Sequence, residues 1–235
     1  MTSTRLFRIL PSLLLAAATG SALAAPVLED SIAQRAVACI ACHNIDGKRG
    51  ADVYYPRIAG KPAGYLANQL INFRDGRRTY PQMIYMVSNL SDAYLHELAD
   101  YFSALEVPYP PPQPLTVTAG VAARGQALVL HGDVAQNIPA CIACHGSALT
   151  GVAPAIPGLV GLPRDYLAAQ FGAWRNGTRH AAAPDCMGKI AAQLSTADIG
   201  AITAWLASQP VPAGARPATS LPAPMPLSCG SVPQG

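Results

Sequence analysis

The pentapeptide Cys-Ile-Ala-Cys-His occurs twice, at residues 39–43 and 141–145, and each copy heads the same ordered series of landmarks. Tyr55-Pro56-Arg57-Ile58-Ala59-Gly60 matches Ile156-Pro157-Gly158-Leu159-Val160-Gly161. Tyr65-Leu66-Ala67-Asn68-Gln69 matches Tyr166-Leu167-Ala168-Ala169-Gln170, and Arg74-Asp75-Gly76 matches Arg175-Asn176-Gly177. Leu90-Ser91-Asp92 then matches Leu194-Ser195-Thr196, and the offset drifts only from 101 to 104. A unit of that length buries its own core, so the pattern is a domain duplication and not a short solenoid repeat. The chain must fold as two copies of one small architecture.

Within each copy the signals are helical. Ser91 is placed to cap a helix that carries Leu95, Leu98, Ala99 and Phe102 on one face. Ser195 does the same for Ile199, Ile202 and Leu206, and Ser195-x-x-Asp198 has the form of a capping box. Pro62 and Pro163 suit the first turn of a middle helix, and Gly76 and Gly177 suit its end. Helical stretches also precede each pentapeptide, around 30–38 and 121–130. No convincing strand alternation appears. Each half is expected to be about three helices joined by long loops, and a domain of that size needs something besides side chains to fill its core.

The boundaries follow from composition. Residues 1–25 read as a secretory signal peptide: Arg5 and Arg8, an apolar run over 10–18, and the small-x-small end Ala22-Leu23-Ala24. The rival reading is an uncleaved N-terminal anchor, for which the run is short. The first domain is placed at 26–106 and the second at 119–209. Val107-Pro108-Tyr109-Pro110-Pro111-Pro112-Gln113-Pro114 excludes helix and makes 107–118 an extended spacer. From 210 to 235 prolines recur with little apolar periodicity, and the tail is expected to be irregular and surface-bound, or disordered. Charged residues are only 12% of the chain and the formal charge is +3, two units of which belong to Arg5 and Arg8. There is no basic run, so nucleic acid is not an expected partner. Export implies an oxidising compartment, the periplasm, in which spare cysteines pair.

Three chemistries compete for Cys-x-x-Cys. A thioredoxin-like redox pair needs a βαβ context, which is missing. A structural zinc site needs four ligands, and each half offers one cluster. Covalent haem needs two thiols three positions apart, Cys39 with Cys42 and Cys141 with Cys144, followed by a histidine, His43 or His145, as the fifth iron ligand. The repeat also indicates a sixth ligand. Met83 and Met187 each lie eight residues before the serine of the last helix, in the loop ahead of it. Met86 corresponds to Ile190 and drops out. A methionine is ordinarily core filler, but two at one repeat position read as thioether ligands, the set of electron-transfer cytochromes. His180 is a rival ligand without a first-half equivalent. His96 reads as solvated, and His131 as a loop residue.

With these motifs the chain resembles the dihaem cytochrome c4 family of bacterial class I c-type cytochromes, from about residue 31 to residue 208. Besides the paired motifs, His131-Gly132-Asp133-Val134-Ala135-Gln136-Asn137-Ile138-Pro139-Ala140-Cys141 is similar to that family's second-domain approach to haem. The resemblance implies an all-α fold of two tandem cytochrome c domains, each wrapped around a covalently bound haem c, with the propionates near the domain interface. It also implies that the carbonyls of Pro56 and Pro157 accept from the proximal histidines; the plain alternative is a rigid turn. Two departures stand out. The first-half helix lacks the usual glycine where the terminal helices cross, whereas Gly125 supplies it in the second half. Cys186 and Cys229 are extra. They either pair, closing a 43-residue separation, or Cys186 displaces Met187 as a thiolate ligand.

The expected function is electron transfer between redox proteins, with a membrane dehydrogenase or quinol-oxidising complex as donor and a terminal oxidase or reductase as acceptor. The carrier is expected to be monomeric or transiently membrane-associated. The alternatives are a dihaem peroxidase, a thiosulfate-type oxidoreductase, or a cytochrome subunit of a membrane dehydrogenase complex.

Overall fold

The computed structural model describes residues 29–43 and 55–233. The expected signal peptide lies outside the described residues. The first half contains α1 (Ile32–Arg35), α2 (Val37–His43), α3 (Ala63–Arg74), α4 (Pro81–Val87) and α5 (Asp92–Ala104). The second contains α6 (Ala119–His131), α7 (Ile142–His145), α8 (Arg164–Arg175), α9 (Cys186–Gln193) and α10 (Thr196–Ala207). Between α7 and α8 lies a two-residue antiparallel pair, β1 (Gly151–Val152) and β2 (Ile156–Pro157), with Gly151 opposite Pro157. None of the described helices is long and apolar enough to cross a membrane.

The capping expectations hold locally. Ser91 Oγ accepts from Tyr94 N at 3.3 Å and Ser195 Oγ from Asp198 N at 3.0 Å. Gly76 and Gly177 lie just past their helices at φ +77° and +75°, a region that costs glycine nothing. Pro62 and Pro163 are extended N-caps, one position before the first turn where the sequence places them.

Several expectations are corrected. The stretch around 30–38 is two short helices, α1 and α2, split by a turn at Ala36. His131 ends α6 and is not in a loop. Met83 and Met187 lie on the short helices α4 and α9, not in loops; Pro81 opens α4 and Asp185 caps α9, accepting from Gly188 N at 2.8 Å. The spacer is extended but not free. The Arg57 guanidinium donates to the carbonyls of Val107 and Pro108 at 2.6 and 3.0 Å and stacks over the Tyr109 ring. Gln113 N donates to Ala207 O at 2.8 Å, so the spacer is stitched to both halves.

The second core is built around Leu128, Val129, Ile202 and Leu206, contributed by α6 and α10. The first gathers Leu66, Leu98, Ala99 and Phe102 from α3 and α5 around fully buried Ala36. Arg124 on α6 donates to Asp198 on α10 at 2.8 Å and to Asp133 at 3.0 Å. Arg124, with help from Ser195, holds the Asp198 carboxyl below the usual carboxylate range. A depressed folded-state pKa means stability that is present above the unfolded value of about 4 and lost as pH falls through the folded one. Asp198→Asn is therefore expected to cost about 1–2 kcal/mol at pH 7. Thermal melts followed by circular dichroism should show the gap from the wild-type protein closing below about pH 4. A gap independent of pH would contradict this account.

Candidate haem-attachment sites

Residues three apart on a helix share a face. Cys39 and Cys42 therefore project together from α2, with His43 closing the helix. Cys141 caps α7, and Cys144 and His145 end it. None of the four cysteines is in a disulfide. Burial pushes the Cys141 thiol up to about 12 and raises Cys39 and Cys144 as well. Among the described residues no three His, Cys, Asp or Glu side chains converge on a metal site, so the zinc alternative has no built cage.

Both histidines are buried, and each turns Nδ1 to a proline carbonyl. His43 lies 2.9 Å from Pro56 O, and His145 lies 2.8 Å from Pro157 O. An Nδ1–H donated there fixes the tautomer and leaves Nε2 as the lone-pair nitrogen. Pro157 belongs to β2, so the small pair β1–β2 is what aims its carbonyl. Burial lowers the His145 pKa against the opposing pull of that carbonyl, keeping the ring neutral.

An apolar cavity opens beside α7. Cys141, Cys144, His145, Pro157 and Met187 all line it. Met83 is partly buried against Phe73, Val87 and Leu95, whereas Met86 is exposed. Cys186 and Cys229 form a disulfide. His180 also lines the cavity, and His96 is exposed.

The halves meet through a group that the sequence reading did not single out. Segments 77–79 and 178–180 run antiparallel: Thr79 N donates to Thr178 O at 2.7 Å, and His180 N to Arg77 O at 2.6 Å. The Arg78 guanidinium donates to Gln69 and Gln170 at 3.0 and 2.8 Å, and that of Arg179 donates to the same two at 3.0 and 2.6 Å. Arg78 stacks over Phe73 and Arg179 over Trp174. Gln69 and Gln170, Phe73 and Trp174, and Arg78 and Arg179 are each 101 apart, so equal polar residues at equal repeat positions were the available signal.

Gln69 and Arg179 from this group line the cavity together with Lys61, yet neither arginine nor Lys61 pairs with a carboxylate among the ion pairs of the described residues. Burial lowers the pKa of Lys61 and of Arg179. Burial alone would raise Tyr65, but Arg179, Arg78 and Lys61 together hold it below the ordinary tyrosine value. Trp174 Nε1 is buried without an acceptor among the described residues. A buried Arg179 and a half-buried Lys61, neither facing a carboxylate, together with an orphaned donor suit an anionic group. Apolar walls, a thiol pair, a neutral imidazole and this cationic edge fit a porphyrin with its two propionates. The donor sets fit two covalently attached haem c groups, one per half.

No protein-family model matches the chain. It is 41% identical over 199 residues to a thiosulfate dehydrogenase electron acceptor of Thiomonas intermedia, covering 84% of this chain and 91% of that protein. It is 37% identical over 174 residues to cytochrome c4 of Pseudomonas aeruginosa, covering 73% and 84%. Its structure is similar to that of reduced cytochrome c4 from Pseudomonas stutzeri, with a TM-score of 0.63 and 30% identity, over 74% of this chain and 94% of that one. A thiosulfate dehydrogenase from Marichromatium purpuratum gives a TM-score of 0.65 at 34% identity over 74% of this chain, which spans only 36% of that longer protein. Duplicated attachment motifs, duplicated histidine–proline pairs and relatives matched over most of their length lead to one assignment: the chain belongs to the dihaem cytochrome c4 family of class I c-type cytochromes.

Proposed function

We propose that this chain is an exported, periplasmic electron carrier whose two haem irons are each held between a histidine and a methionine, His43 with Met83 and His145 with Met187. The observation that carries the reading is the cavity of the second half, which Cys141, Cys144, a neutral His145 and Met187 all line. When bound, the haems supply the one-electron couple. The chain contributes orientation and exclusion of water: proline carbonyls lock the imidazoles, short helices present the thioethers, and the arginine–glutamine group ties the halves at a fixed separation. Soft sulfur favours the ferrous state and raises the potential. Domains at 26–106 and 119–209 joined by the stitched spacer are part of this proposal.

The relatives named as thiosulfate dehydrogenase electron acceptors, at 41% and 38% identity, support a thiosulfate-oxidising enzyme as donor. A terminal oxidase or reductase is the proposed acceptor, reached by small, transient docking.

The ferric holoprotein should show two methionine-to-iron charge-transfer bands in the near infrared. Met83→Ala and Met187→Ala should each remove one band and lower that haem's potential by on the order of 100 mV. Retention of both bands in either variant would remove that methionine from the ligand set. A second reading, chemistry on thiosulfate itself, draws on the structural likeness to a thiosulfate dehydrogenase. Reduction of the haems by thiosulfate alone, with no enzyme added, would favour it.

A further inference from the structure

The C-terminal tail treats the two sites differently. Its Met225, Leu227, Cys229 and Ser231 line the same cavity as His145 and Met187. Cys229 is buried and bonded to Cys186, the first residue of α9, which directly precedes Met187. The tail is fastened at three further places. Ala218 exchanges hydrogen bonds with Gly151 and Ala153 at 2.9 and 2.8 Å. Gly230 N donates to Pro184 O at 3.0 Å, and Asn68 of the first half donates to Ser231 O at 2.9 Å. Gly230 lies so close that a Cβ there would run into the Ala183 carbonyl. The first half has only Cys39 and Cys42, so no equivalent bond is available to α4.

We propose that the Cys186–Cys229 disulfide is a positioning clasp that holds α9, and with it Met187, against the second iron, while the clasped tail seals that face against water and exogenous ligands. The second site is thereby the clasped one, and α4 of the first half has no such disulfide. This rests on the reading of Met187 as an iron ligand. The physical basis is that a ligand helix opens locally with a free energy set by its tethers. An incoming ligand binds in proportion to the open fraction. Cutting the covalent tether while leaving Met187 in place raises that fraction at one haem only.

The test uses the intact ferrous holoprotein under anaerobic conditions, with carbon monoxide as probe. A trialkylphosphine and water cleave the disulfide to two thiols, leaving the phosphine oxide; the haems, already reduced, do not change. Carbon monoxide binding at the second haem should then accelerate by about tenfold or more, with the first haem unchanged. The Cys186→Ser/Cys229→Ser variant and a chain ending at Gln209 should reproduce this, and both should lower the potential of the second haem alone. Unchanged binding and potentials after verified cleavage would overturn the clasp. Methionine–iron bands left unchanged by Met187→Ala would instead overturn the assignment of Met187. If the variants fail to mature, the phosphine experiment on wild-type protein decides the matter.

Discussion

Replacing Cys141 and Cys144 together by serine is expected to yield a protein with one covalent haem and a second half that no longer folds cooperatively. The motif side chains sit in the wall of an apolar cavity, and the buried shell around it, including Leu128, Ile138 and Ile202, has no substitute filler. A core missing its largest component loses transfer energy and keeps an unfilled void, a cost of about 5 kcal/mol or more. That is comparable with the whole stability of a domain this small. A haemochrome assay should fall from two haems per chain to one, the methionine–iron bands from two to one, and the thermal transition should split. The matching Cys39→Ser/Cys42→Ser variant should spare the second site. Two haems per chain in either variant would refute covalent attachment at these positions.

What was legible in the sequence was what is local. Cys-x-x-Cys-His, the serine caps and the helix-ending glycines each declare a geometry within a few residues. The opposed repeat made even the proline positions stand out. The arginine–glutamine group showed in the sequence only as equal residues at equal repeat positions; its role did not, because a buried Arg179 reads the same as a solvated one until the second copy is folded against the first. The methionine helices were missed because they are short, seven residues in α4 and eight in α9, and Asp185 reads as a cap only once its carboxylate accepts from Gly188 N. The tail was expected to be irregular and surface-bound or disordered. It is irregular, yet Met225, Leu227 and Cys229 face the cavity, since a few backbone bonds and one disulfide fix it without any hydropathy pattern.

The duplication also explains how two unequal sites arise from one plan. The two-fold relation between the halves is kept where they touch, in Gln69 with Gln170 and Arg78 with Arg179. It is broken at the periphery, where the spacer meets the first half through Arg57 and the second through Ala207, and where the tail's disulfide reaches α9. An interface built from self-complementary pairs tolerates drift elsewhere, because its hydrogen bonds depend on residues common to both copies.

The packing of the second half gives the remaining large prediction, from two glycines of opposite consequence. Gly125 on α6 faces α10, where a Cβ would run into the Ala201 carbonyl and approach Trp205 Cβ at 3.1 Å. Backbone on the far side of that contact cannot rotate away as a side chain would. Gly125→Val must therefore push the helices apart, breaking the close fit of Leu128 and Val129 against Ile202 and Leu206. The expected loss is about 3 kcal/mol or more, at the upper end for overpacking. Gly200 on α10 has nothing within 4 Å of its would-be Cβ. Gly200→Ala meets no neighbour and removes a helix-breaking residue, so it should stabilise by about 0.5–1 kcal/mol. Chemical denaturation of the two holoproteins should displace the midpoint in opposite directions, down for Gly125→Val and up for Gly200→Ala. A Gly125→Val protein as stable as wild type would mean that α6 and α10 do not cross at this glycine.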